Sequence, residues 1–234
     1  MITGATSGIG LAIVKESRIR GLHILAIQRN QDAGGALQAL IAEDSLSLTL
    51  ACDLSDVSQV EQLCQQIKEK NISLSWVIQA AGMIDESEKT SEISNDRIRE
   101  CFQVNTFSPM RISQALEPLV SSEGGEIFIG SVAGIWGNSG FPVYSATKAA
   151  LHNVALSLSR KWEGTAQKSV VIAPSATNTR MREKTAGDAA TSQSADIVAA
   201  VVLDIITGAL YALNGDVVTV SNGVASKLVL PARN

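Results

Sequence analysis

The sequence predicts an α/β protein, a three-layer doubly wound parallel sheet of about seven strands in a single domain over residues 1–234. Three observations predict it. Short apolar runs of strand length alternate with helical patterns along the whole chain. The strand runs are apolar throughout, as strands covered on both faces are. A glycine-rich turn, Gly4 to Gly10, separates the first strand from the first helix, where such a sheet opens to ligands. The right hand of parallel crossovers then distributes the helices over both faces.

In chain order, Met1-Ile2-Thr3 is the first strand. Leu11 to Arg20 is an amphipathic helix closed by Gly21. Leu22 to Ile27 is a strand, Gln31 to Glu43 a helix and Leu46 to Ala51 a strand. Ser55 to Lys70 reads as a helix with Ser55 as N-cap and an apolar stripe of Val57, Val60, Leu63, Cys64 and Ile67. Leu74 to Ile78 is a strand. The polar stretch Asp85 to Asn95 leads into a long helix reaching Val120, kinked at Pro109. Glu126 to Ile129 is a strand, and Val143 to Trp162 a helix with Pro142 near its first turn. Val170 to Ala173 is a strand, Pro174 to Ser192 a polar, irregular, mobile loop, Asp196 to Ile206 a helix and Asp216 to Val220 the last strand.

Composition narrows the function classes. An apolar fraction of 45% supports a substantial core without disulfides or metal. The net charge of −4 argues against nucleic acid or an anionic membrane surface as partner. Cys52, Cys64 and Cys101 are odd in number and far apart, which suits buried thiols in the reducing cytoplasm. With two histidines, His23 and His152, they do not make a metal site, and neither histidine is given a role. No secretory leader is visible. Ile197 to Leu213 is nearly all apolar, but Asp204 would cost about 3 kcal/mol in lipid and the stretch falls short of the roughly 20 residues a span needs. A buried or subunit-facing helix is the expectation.

The turn reads Thr3-Gly4-Ala5-Thr6-Ser7-Gly8-Ile9-Gly10. Gly4 allows the tight turn, and Gly8 and Gly10 let backbone and helix approach a pyrophosphate at the helix N-terminus. Further along, Ser131 is followed by Tyr144 and Lys148 in the stretch SVAGIWGNSGFPVYSATK. Tyr144 and Lys148 stand at i and i+4, so they share a helix face. A cation beside a phenol favours the phenolate and lowers a pKa that begins near 10. Ser131, at a strand end, is placed to hydrogen-bond a substrate oxygen.

With its T-G-x-x-x-G-x-G turn and Tyr-x-x-x-Lys, the chain resembles the short-chain dehydrogenase/reductase family, the single-domain branch of roughly 250 residues, over essentially its whole length. Further motifs fall in the family's order. Asp53-Leu54 matches the aspartate that positions adenine, Ala81-Gly82 the end of the Asn-Asn-Ala-Gly segment, and Asn105 the helix asparagine. Pro174 to Thr179, with Thr177, resembles the Pro-Gly-x-x-x-Thr segment on the nicotinamide side. Asn214 to Val218 resembles the family's last strand.

The resemblance implies a Rossmann fold that binds a nicotinamide dinucleotide. It implies hydride exchange with a carbonyl/alcohol substrate, with Tyr144 as acid/base and Lys148 also holding the ribose. Asn105 would hold a water in a proton relay to Lys148. A homodimer or homotetramer through the long helices is likewise implied, with Ile197 to Leu213 joining an interface.

The cofactor is expected to be NADP(H) rather than NAD. Gln28-Arg29-Asn30 ends the second strand without an acidic residue, and the Arg29 guanidinium suits a 2′-phosphate. The substrate pocket is expected from Ala133, Ile135, Trp136, Phe141 and the loop Met181 to Ser192, with an apolar substrate portion against the aromatic rings.

Three departures from the family carry expectations. Gln79-Ala80 replaces Asn-Asn, so strand ties weaken or reroute through Gln79. Ser175 replaces a glycine and alters the nicotinamide loop. Only three residues precede Gly4, whereas strands average about 5–6. Either the start lies upstream or a truncated central strand lowers stability. Two other functions stay open: a nucleotide-binding regulator without turnover, and an epimerase or dehydratase on nucleotide sugars. The intact Tyr144 and Lys148 stand against the first; the glycine spacing and the lack of a longer substrate domain stand against the second.

Overall fold

The computed structural model describes residues 1–30, 35–42, 44–84, 92–183 and 192–228. In order it runs β1 (Ile2–Thr3), α1 (Gly8–Ile19), β2 (Leu25–Gln28), α2 (Gly35–Ala42), β3 (Leu48–Ala51), α3 (Val57–Glu69), β4 (Leu74–Gln79) and α4 (Asn95–Phe102). A π-helical turn (Gln103–Phe107) leads into α5 (Ser108–Leu116), and a 3₁₀ turn (Glu117–Leu119) into β5 (Val120–Ile129). Then follow α6 (Ala133–Trp136), α7 (Pro142–Lys161), β6 (Lys168–Pro174), β7 (Thr177–Asn178), α8 (Arg180–Glu183), β8 (Gln193–Ser194), α9 (Ala195–Thr207), β9 (Val217–Ser221) and β10 (Val224–Leu228).

Eight strands form the main sheet in the order β10-β9-β6-β5-β4-β1-β2-β3. All pair in parallel except β10 on β9. The chain order reverses between β1 and β4, so the cleft at the carboxyl ends of these strands is the switch point of the sheet.

The apolar strands bury both faces. In β5, Ile127 and Ile129 join the core under α1 and α9, while Phe128 joins Leu151 and Ala155 of α7 on the other face. In β6, Val170 and Ile172 face the first side, and Val171 and Ala173 the second. This period of two is why the runs read as continuous rather than alternating. The largely apolar stretch from Ile197 is absorbed the same way. Val198, Ala199, Val201, Val202, Leu203 and Ile205 are buried by this chain itself, and Asp204 turns out to meet Arg20 at 2.8 Å. Among the described residues, no helix is long and apolar enough to cross a membrane.

Several expectations shift. The strand count is eight, not about seven, because β10 was not anticipated; Asn222 (φ 49°) and Gly223 (φ 81°) form the tight turn of a β9–β10 hairpin. Helix α1 starts at Gly8 rather than Leu11, so the end of the glycine turn is already helical. Asp56, not Ser55, caps α3, its side chain accepting from Ser58 N and Gln59 N. The long helix ends at Leu116 and Val120 opens β5. The irregularity expected at Pro109 lies just before it, as the π turn. The loop after Pro174 takes regular structure in β7 and α8 as far as Glu183; the rest of it up to 191, and the polar stretch 85–91, lie outside the described residues.

Candidate functional site

The site grows from three close approaches at the carboxyl end of the sheet. Gly4 (φ +66°) lies against the end of β4, where a β-carbon on it would stand 2.8 Å from Ala81 Cα. A β-carbon on Gly8 would reach Thr179 Cγ2 at 3.2 Å, and one on Gly82 would reach Lys148 Nζ at 3.4 Å. The glycine turn, the Ala81-Gly82 step, the loop after β6 and the α7 lysine therefore meet around one cleft of about 850 Å³. Every residue expected to hold the dinucleotide lines it, from Gly4, Thr6, Ser7, Gly8, Ile9 and Gly10 through Arg29, Asp53, Leu54, Ala81 and Gly82 to Tyr144, Lys148, Pro174, Thr177 and Thr179. The cradle fits such a group. The first turn of α1 lies along the cleft, and its cap residue Ser7 makes no side-chain capping bond, so its N–H groups have no local side-chain acceptor.

The supporting contacts are backbone-directed. Thr3 Oγ1 accepts from Ala80 N (3.0 Å) and Ala81 N (3.1 Å), tying β1 to the end of β4. Asp53 Oδ1 accepts from Ser55 N and Ser55 Oγ, which fixes the carboxylate at the end of β3. Arg29 is exposed at the cleft edge. Gln79 reroutes the strand tie: its side chain hydrogen-bonds Glu126 on the neighbouring β5, and its amide also donates to the Pro109 carbonyl at 3.5 Å. Ser175 keeps an ordinary backbone; its N–H donates to Val220 O, and its hydroxyl accepts from Gln193 Nε2.

On the cleft floor, Ser131 follows the end of β5, while Tyr144 and Lys148 lie in the first turns of α7, with Pro142 in the first turn. Lys148 is buried, donates to the Ile129 carbonyl at 2.8 Å, and stands 5.8 Å from the centre of the Tyr144 ring. Burial lowers its ammonium to about 8. Tyr144 differs from expectation. Burial raises its phenol above the ordinary value, opposed by a hydrogen bond with Ser131. At its present distance, and bonded to Ile129, the ammonium is outweighed by desolvation.

Asn105 does not line the cleft. It is fully buried in the π turn, with Oδ1 accepting from Met83 N (2.8 Å) and Nδ2 donating to Met83 O (2.8 Å) and Thr147 Oγ1 (3.0 Å). Ala133, Trp136 and Phe141 line the cleft, as do Met181 and Arg182. Trp136 is 68% exposed. Ile135 is a correction: it packs against the Phe128–Leu151 core instead of the cleft. Ser192 lines a separate hollow beside α1.

Sequence reasoning missed two groups. Met83, Ile84, Arg97 and Glu100 wall the cleft from the α4 side, and Arg97 donates to the Ile84 carbonyl and to Glu100. His152, given no role, is buried with Nε2 accepting from Ser131 N at 3.3 Å. Its spacing was the available signal: Tyr144, Lys148 and His152 recur every four residues on one helix face. Cys52, Cys64 and Cys101 are buried and form no disulfide, and burial pushes Cys52 up to about 12.

A family model described as short chain dehydrogenase matches residues 1–190. The chain is similar to a 3beta-hydroxysteroid dehydrogenase of Mediterraneibacter gnavus, 28% identical over 190 residues that cover 80% of this chain and 69% of that protein. Its fold is that of a short chain dehydrogenase from Burkholderia cenocepacia solved in complex with NADP (TM-score 0.83, 23% identity, 95% of each chain). It is equally that of 4-hydroxyisoleucine dehydrogenase complexed with NADH (TM-score 0.82, 21% identity, 95% of this chain and 96% of that one).

Proposed function

The chain belongs to the short chain dehydrogenase family of oxidoreductases, and on that premise we propose that it moves a hydride between NADP(H) and a carbonyl/secondary alcohol substrate. One observation supports this reading above the rest: Ser131, Tyr144 and Lys148 converge in the same cleft as the glycine turn. NADP(H) is favoured over NAD(H) by Arg29 at the cleft edge and by the lack of an acidic residue in Gln28-Arg29-Asn30.

When bound, the dinucleotide supplies or accepts the hydride, and its oxidised ring carries a positive charge. Tyr144 is the acid/base. In reduction its hydroxyl gives a proton to the oxygen that has gained the electron pair; in oxidation it takes that proton back. Burial favours the protonated phenol, the form that donates. The Ser131 hydroxyl bonds the same oxygen and stabilises its developing charge. Lys148, protonated at neutral pH with its value near 8, favours the phenolate once the proton has left, and it also holds the ribose.

Asn105 enters the relay through its backbone, since its side chain is committed to Met83 and Thr147. Pro109, four residues on, has no N–H to offer the Asn105 carbonyl, which is the group assigned to hold the relay water. Met83, Trp136 and Phe141 give the substrate an apolar wall. A homodimer or homotetramer through the long helices, in the cytoplasm, completes the reading; Phe107 and Met110 are exposed.

The test is a panel of aldehydes and ketones with NADPH and with NADH. Turnover with NADPH is expected. NADPH binding without oxidation of the cofactor across the panel would instead favour a nucleotide-binding regulator.

A further inference from the structure

We propose that His152 is a positioning residue for Ser131: its imidazole braces the strand end that carries the serine against the helix that carries Tyr144 and Lys148. This rests on the oxidoreductase reading above. Gly130 N donates to Ile172 O at 2.7 Å and Val132 N to Pro174 O at 3.1 Å, so both neighbours of Ser131 are tied to the β6 side. Alternation turns the Ser131 N–H the other way. There the ladder with β4 has already ended at the Gln79–Phe128 pair. His152 Nε2 supplies the acceptor that the strand no longer does, at 3.3 Å.

Gly130 makes this reach possible. A β-carbon there would stand 2.1 Å from His152 Nε2 and 2.7 Å from Cδ2, so the imidazole occupies the volume that any other residue before Ser131 would fill. To accept, Nε2 must be unprotonated, which leaves the proton on Nδ1. Burial, with the Lys148 charge one turn away on the same helix, lowers the group to about 4 and keeps that state at neutral pH. The consequence reaches the serine side chain. With its N–H held, the Ser131 hydroxyl accepts from Ala133 N at 3.1 Å and engages Tyr144, so serine and tyrosine are set relative to each other by one cross-link from α7.

The experiment compares H152A and H152Q, the latter keeping an acceptor near the Nε2 position, with a carbonyl substrate from the panel. Each is made in the wild-type and S131A backgrounds, with NADPH affinity and melting temperature measured alongside. A shift of the serine by a fraction of an ångström is expected to lower kcat about tenfold in H152A. Cofactor affinity and KM should hold, H152Q should recover most of the loss, and H152A should add nothing in S131A. Equal losses from H152A in both backgrounds, or undiminished kcat, would overturn the proposal. Should H152A fail to fold, ¹⁵N NMR of the wild-type imidazole decides it: an Nδ1-protonated tautomer is expected, and an Nε2-protonated one rules the brace out. Wild-type protein that turns over no carbonyl refutes the oxidoreductase reading instead, while the tautomer still reports on the brace.

Discussion

Gly10 faces Gly4 across the turn so closely that a β-carbon on Gly10 would stand 2.2 Å from the Gly4 carbonyl oxygen. Neither atom is the end of a flexible side chain, so an added methyl can be housed only by moving α1 away from the turn. G10A is therefore expected to lose about 1–3 kcal/mol of stability and to weaken dinucleotide binding as well. Denaturant unfolding and cofactor titration check both; wild-type values for both would mean that the turn tolerates the methyl.

Cofactor choice turns on Arg29. Replacing it with aspartate removes a charge-assisted partner for a 2′-phosphate and adds a repulsive one. The loss of NADPH binding in R29D is expected to be about 2 kcal/mol, or roughly thirtyfold, with NADH becoming the better ligand. Tighter binding of NADH than NADPH by the wild type would contradict the assignment.

Glu126 is a pH-dependent weakness in the core. It is fully buried on β5, accepts from the Ser113 hydroxyl at 2.6 Å, and is pushed from 4.5 to about 7 by desolvation, which hydrogen bonds from Ser113 and Gln79 oppose only in part. The raised value fixes the sign. The neutral form is accommodated at low pH, and stability falls as pH rises from 4.5 through 7, by about 3 kcal/mol in all. His152 runs the opposite way: its lowered value removes stability as pH falls from 6.5 toward 4. The difference between wild type and E126Q isolates the carboxyl. E126Q is expected to gain stability relative to wild type steadily across the upper window, read by urea unfolding at pH 5, 6 and 7.5. Parallel curves would show that Glu126 does not titrate there.

The parts of the site that were legible in the sequence are those whose chemistry has a fixed spacing. The glycine turn, Asp53, Ala81-Gly82 and Tyr144-x-x-x-Lys148 line one cleft because each is bound to a strand end or one helix face. What escaped depends on tertiary packing. Tyr144 was expected to be lowered by Lys148, but spacing along a helix carries no information on burial, and burial dominates. Ile135 looked like a wall residue from its neighbours Ala133 and Trp136, yet the short α6 turns it into the core. Asn105 sits where expected in the chain but spends its side chain on Met83 and Thr147. Among the fold elements, β10 was missed although Asn222-Gly223 carries the hairpin dipeptide, because the strand it creates is largely exposed and only weakly apolar.

The account stands or falls on Tyr144 as the proton-transfer group. Steady-state turnover of the best carbonyl substrate with NADPH, in wild type and Y144F, tests it most directly, since the substitution removes one hydroxyl and keeps the ring. The account predicts loss of at least about a hundredfold in kcat with NADPH affinity retained; undiminished turnover in Y144F would contradict it.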